Sequence, residues 1–267
     1  MAFEPKFGTF NLTNANNVRV GSVTDLGTNR VATTGTLGAG SAVTSVRQLG
    51  RQIKSVITVN ASTSSDLESS LDDVLEALNT TEAKALRFTT NRYITAYASI
   101  GAIKLQSGTS GKLAVFDCTF TATEPVWRSA TQSSGSLADN SGSSNTGNIV
   151  VAGSAPTLPD WTIANSSGSN VSGTGALTNN TTDEEFRLRT MVIANGDTLN
   201  INGATGEVYF NSGANAASQT PKRIDGAFWE LQVGTNSVTY EWTWTASNNI
   251  PATASYYTNY QHLGDWG

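Results

Sequence analysis

Between Met191 and Glu241 the chain repeats one device, a short run of alternating apolar and polar residues followed by a turn. Leu199 and Ile201 alternate with polar neighbours, and Gly203 to Gly206 supplies turn residues. Val208 and Phe210 resume the alternation before a second turn signal at Asn211 to Gly213. After the turn signal Gly234 to Asn236, Val238, Tyr240, Trp242 and Trp244 fall on one face, and Thr239, Glu241 and Thr243 on the other. A period of two between closely spaced turns is the pattern of half-buried antiparallel strands, here read as a β-meander. No helical period interrupts roughly 100 residues of this signal, so the region predicts a β-sandwich.

The rest of the chain divides by composition. The segment 1–130 reads as a β domain with one helix. Arg51 to Val59, Leu86 to Phe88, Arg92 to Ile100 and Leu113 to Thr121 have strand character, while Gly35 to Gly40 reads as a long mobile connection. The helix starts at Ser64 or Ser65, where Ser65 and Glu68 have capping-box spacing. Leu67, Leu71, Val74, Leu75 and Leu78 then make a single apolar stripe suited to covering a sheet. Thr131 to Asn148 is small and polar and predicts a linker over 131–148. The sandwich is expected over 149–247, with a loop at Gly168 to Gly175. The aromatic segment 248–267 is read as a docking tail through Tyr256, Tyr257, Tyr260 and Trp266.

The inventory of reactive side chains is short. His262 is the single histidine and stands five residues from the end, a poor platform for a positioned base. One histidine and one cysteine exclude the usual zinc sets, and lone Cys118 sits among strand formers as an ordinary buried thiol. Gly108 to Lys112 lacks the spacing of a phosphate loop, with Leu113 where a hydroxyl is required. Only 14% of residues are charged and the net charge is −5, so electrostatic wrapping of nucleic acid is disfavoured. The opening residues lack a basic start and an apolar run, and no stretch of about 18 apolar residues occurs, so neither a signal peptide nor a membrane span is expected. The expectation is a chain with no catalytic group, no cofactor and no metal. Trp229, Trp242 and Trp244 remain as a candidate glycan or partner platform, set against the plainer reading that they fill the core.

The order of these motifs resembles the distal tail protein (Dit-like) family of long-tailed bacteriophages. A Gly50-Arg51 strand precedes the leucine helix, and an exit with a Pro-x-Trp pattern runs from Phe120 to Trp127. Ile193 to Asp197, Leu199 and Ile201, Gly206 to Val208, Asn211 to Gly213, Trp229 to Leu231 and Gly234 to Asn236 follow in the family's order. Asn202 and Val233 depart from it, standing where an acidic residue and a proline are common. The resemblance implies a ring-forming N-terminal (belt) domain, generally hexameric, and a galectin-like C-terminal sandwich. It implies a structural virion protein at the distal end of a tail, assembled in the host cytoplasm and joining the tube to the tip or baseplate. Its partners would be further copies of itself, the tail tube protein and a tail-tip hub or tape-measure protein. A receptor-binding protein and host-surface carbohydrate are further candidates; nucleic acid and membrane insertion are not. The alternative is a carbohydrate-binding module or adhesin that recognises cell-surface glycan.

Overall fold

The computed structural model describes residues 3–12, 18–37, 40–108, 111–137, 144–210, 223–226, 228–245 and 250–261. The chain is mainly β and separates into two compact units, Met1–Ala130 with Tyr260–Gly267, and Thr131–Asn259.

In the first unit the strands are β1 (Phe3–Phe7), β2 (Phe10–Asn11), β3 (Val18–Leu37), β4 (Gly40–Ala61), β5 (Lys84–Thr89), β6 (Arg92–Gly108), β7 (Gly111–Ala122) and the start of β8 (Trp127–Leu137). The helix α1 (Ser64–Leu78) lies between β4 and β5 in sequence. Four strands form an antiparallel sheet in the order β3-β4-β7-β6. The β4–β7 register runs without a shift from Arg51↔Ala122 to Ala61↔Lys112, so alternation along both strands sends Ile53, Ile57, Phe116, Cys118 and Phe120 to one buried face. Leu67, Val74 and Leu78 of α1 join that core and Leu71 packs against it, as the stripe predicts. The cap differs from the expected box. Thr63 is the N-cap, its Oγ1 accepting the Asp66 N–H at 3.1 Å, because the chain leaves β4 in an extended conformation two residues earlier.

In the second unit the strands are β9 (Ser144–Val151), β10 (Asp160–Ala164), β11 (Val171–Asn179), β12 (Glu184–Ile193), β13 (Thr198–Ile201), β14 (Val208–Phe210), β15 (Arg223–Asp225), β16 (Gly234–Trp242) and β17 (Ala252–Tyr260). One sheet has the order β14-β13-β10-β17 with β8 beside β17, and the other has β15-β12-β11-β16-β9. A single apolar core lies between them. Trp161, Ile163, Leu199 and Ile201 come from the first sheet, and Leu177, Phe186, Leu188 and Tyr240 from the second. This is a two-sheet sandwich.

Several expectations change. The stretch from Met191 to Glu241 is not a meander: β12 and β13 are consecutive yet lie in different sheets, and β16 sits between β11 and β9. Alternation reports that one face is buried, and strands of either sheet alternate alike, so pairing partners are invisible to it. Of the expected linker 131–148, residues 131–137 continue β8 and residues 144–148 begin β9, while 138–143 fall outside the described residues. These positions stay largely exposed on one face, which needs no apolar side chains; backbone pairing such as Glu241↔Ser144 holds them instead.

The tail also becomes sheet. Ala252 to Tyr260 is β17, paired with β10 through Trp161↔Ala254, and Ala252, Ala254 and Tyr256 point into the core between polar neighbours. The expected mobile connection at Gly35 to Gly40 is the end of a hairpin, paired Thr36↔Ser41 and Leu37↔Gly40. Residues 38–39 and the turn expected at Asn211 to Gly213 lie outside the described residues. Within the loop expected at Gly168 to Gly175, strand β11 already begins at Val171. Its Gly173 allows a close crossing, since a Cβ there would stand 2.5 Å from the Thr243 carbonyl oxygen.

Candidate functional site

The tryptophans proposed as a sugar platform are structural. Trp229, Trp242 and Trp244 are 4%, 3% and 6% exposed, all within the core of the second unit. Trp229 donates its Nε1–H to the Leu177 carbonyl at 3.2 Å and meets Trp161 edge-on at 5.6 Å. Trp242 lies 4.7 Å from the Tyr240 ring, and Trp244 donates its Nε1–H to the Tyr240 hydroxyl at 2.6 Å. Indole N–H groups satisfied inside the protein and ring faces covered by neighbours leave no surface on which a sugar could stack.

The aromatics of the expected tail are likewise committed. Tyr256 is buried and its hydroxyl donates to the Val150 carbonyl at 2.9 Å; burial raises its pKa. Tyr257 is half-buried on the opposite face of β17. Tyr260 carries the Arg92 guanidinium 3.6 Å above its ring centroid, a cation–π contact. Trp266 lies outside the described residues, as does His262.

The Gly50-Arg51 pair is built for one position. A Cβ on residue 50 would stand 2.4 Å from the Ala122 carbonyl oxygen, so β4 and the end of β7 approach this closely only at glycine. Arg51 is 3% exposed. Its Nε faces Asp25 Oδ1 at 3.0 Å, its Nη1 donates to the Pro125 carbonyl at 2.9 Å, and its Nη2 donates to the Gln261 carbonyl. Trp127 Nε1 donates to Asp25 Oδ2 at 3.4 Å. Burial lowers the Arg51 pKa, while the Asp25 carboxylate beside it acts in the opposite sense. The node ties β3 and β4 to the chain segments at 125–127 and 261.

The same four-stranded sheet presents two open edges. Among the described residues β3 pairs only with β4, and β6 beyond Tyr97 pairs only with β7. Among the described residues of the unit, the large exposed apolar side chains lie on these strands: Leu26 on β3, and Tyr97, Ile103 and Leu105 on β6, the last 69% exposed. Ile103 and Leu105 oppose Phe116 and Ala114 in the register, so they extend the buried face of the sheet beyond the cover of α1. Sequence reasoning missed them because they continue a normal strand pattern and only the tertiary fold leaves them open.

Reactive chemistry is sparse. Cys118 is buried and its thiol is pushed up to about 12 by burial, against a smaller opposing effect from the backbone of Ser99. Among the described residues no group of three His, Cys, Asp or Glu side chains is placed to hold a metal ion. None of the described helices is long and apolar enough to cross a membrane.

Residues 152–260 match the family described as siphovirus-type tail component, C-terminal domain. The fold matches the crystal structure of SPP1 Dit, titled a paradigm of the hub adsorption apparatus in phages infecting Gram-positive hosts, with a TM-score of 0.69 at 13% identity over 97% of this chain and 99% of that one. It also matches a chain of the phage P2 baseplate in its activated conformation with calcium, with a TM-score of 0.52 at 11% identity over 96% and 98% of the two chains. No curated protein matches at the sequence level. Residues 152–260 thus match a siphovirus-type tail component's C-terminal domain, and the chain shares the fold of SPP1 Dit.

Proposed function

We propose that copies of this chain close into a ring, six per ring, at the distal end of a tail tube, and that the ring joins the tube to the tail tip or baseplate. The observation that carries the reading is the pair of open edges on the β3-β4-β7-β6 sheet. An exposed edge is a template for pairing with another chain. Two different edges on opposite sides of one sheet favour a head-to-tail contact, β3 of one copy against β6 of the next, and such contacts either close into rings or run on as filaments. Leu26 on one edge and Tyr97, Ile103 and Leu105 on the other would lose their exposure to water in that contact. The copy number follows the family resemblance.

In this reading the tube protein and a hub or tape-measure protein bind the ring's two faces, and a receptor-binding protein is a further partner. The adhesin alternative loses its proposed platform, because the three tryptophans are internal.

Native mass spectrometry and negative-stain electron microscopy of the purified protein test the ring. Closed six-fold particles are expected, and the double substitution Ile103→Lys with Leu105→Lys should yield folded monomers. A wild-type protein that stays monomeric at high micromolar concentration overturns the proposal.

A further inference from the structure

Two arginines of the first unit each hold both the outgoing and the returning chain. The chain leaves this unit after Ala130 and comes back at Tyr260. Both crossings fall within strands, the first inside β8 and the second at the last residue of β17, so neither is a loop. Arg51 donates from Nη1 to the Pro125 carbonyl of the outgoing chain at 2.9 Å, and from Nη2 to the Gln261 carbonyl of the returning chain. Arg92 repeats the arrangement by other means. Its backbone pairs with Ser129 of the outgoing chain, and its guanidinium lies 3.6 Å above the ring centroid of Tyr260 in the returning chain. Two more bonds fix the outgoing chain, from the Trp127 indole to Asp25 and from the Ala130 N–H to the Asn91 carbonyl at 2.8 Å.

Burial makes these contacts depend on one another. Arg51 is 3% exposed, so if the returning chain withdrew the Gln261 carbonyl, a charged donor would be left unpaired away from water. The guanidinium regains a partner only by turning toward solvent, and that turn drops the Pro125 carbonyl and pulls away from Asp25, which also receives the Trp127 indole. Release of the returning chain therefore undoes the hold on the outgoing one. Arg92 guards the same step from outside, because its contact with Tyr260 fixes the residue next to Gln261. We infer that Arg51 and Arg92 form a latch with two states, one with both connecting segments fastened to the first unit and one with both free. Leu26, Tyr97, Ile103 and Leu105 take no part in it, so the latch stands independently of ring formation.

Limited trypsin digestion of the full chain, with hydrogen exchange read by mass spectrometry, tests the latch, because Arg128 supplies a cleavage site inside the outgoing segment. Tyr260→Leu keeps an apolar side chain where Tyr260 packs against the core, and Arg92→Leu removes the cation from the other side of the same contact. Both changes loosen the returning chain directly. Each is nevertheless expected to raise cleavage after Arg128, and exchange across 124–130, by about tenfold. Arg92→Lys keeps a cation over the ring and should restore most of the wild-type resistance. Exchange at 53–57 in β4 and at 171–179 in β11 should stay at wild-type rates, which separates opening of the latch from loss of the fold. Faster exchange confined to 258–261, an equal rise in the strands of both cores, or wild-type behaviour of both leucine variants would each overturn the inference.

Discussion

Arg51 Nε and Asp25 Oδ1 lie 3.0 Å apart at the base of the long β3–β4 hairpin, in a setting where the arginine is almost wholly buried. The pair matters less for its own attraction than for what its loss would strand. Desolvating two ions largely cancels their Coulomb gain, but removing one partner leaves a buried charge unpaired. Asp25→Ala is therefore expected to destabilise the protein by about 3 kcal/mol. Arg51→Met, which removes the charge and keeps the stem, should cost less than Arg51→Ala. Urea denaturation of the four proteins checks the order; equal stabilities for Asp25→Ala and wild type would contradict it.

Gly50 is required by space. With a Cβ 2.4 Å from the Ala122 carbonyl oxygen, Gly50→Ala must push β4 away from the end of β7 and disturb the adjacent Arg51 contacts. A loss of roughly 1–3 kcal/mol is expected, read as a lower melting temperature. An unchanged melting temperature would show that the strands yield freely.

Cys118 gives a pH test with a definite sign. Its folded thiol titrates near 12 against an ordinary value of 9.0, so the folded state holds the proton longer than the unfolded chain does. The stabilisation is fully present below about pH 9 and is lost as pH rises toward 12. Stability should therefore fall across that window, and Cys118→Ala should lessen this fall. At pH 8 a thiol reagent should label Cys118 only after denaturant is added; rapid labelling of the native protein would refute the burial.

Asn236 is buried and fastens the start of β16. Its Nδ2 donates to the Gln232 carbonyl at 2.8 Å and its Oδ1 accepts the Gln232 N–H at 2.8 Å, with a longer bond to the Ile149 carbonyl on β9. Asn236→Ala leaves backbone groups without partners, and a cost of about 1–3 kcal/mol per unsatisfied group follows. Hydrogen exchange should show the earliest loss of protection at 232–236 and along the facing part of β9. Protection that falls uniformly across the second unit instead would argue against a local fastening.

Trp229→Ala removes a large side chain packed against Trp161 and bonded to Leu177. The expected cost is about 3–5 kcal/mol. Selective loss of sugar binding with full stability would restore the tryptophan platform that the fold argues against.

The periodicities were legible wherever one face of an element is apolar and the other polar. The leucine stripe of α1, the alternation of Ile53 with Ile57 and that of Leu199 with Ile201 each specify an element and its buried side, because burial of a face is encoded locally. The order of turns and strands carried the family resemblance for the same reason. Strand segments built of serine, threonine and glycine, such as 131–137 and 144–148, were not legible, since what holds them is backbone pairing with strands distant in sequence. Tertiary structure alone decided that β12 and β13 part into different sheets, that Trp229, Trp242 and Trp244 point inward, and that Ile103 and Leu105 stay uncovered. It alone set Arg187, Ala176 and Glu241 in one row. Each of these depends on which strands become neighbours, a choice made by the closure of a whole core and not by any window of residues.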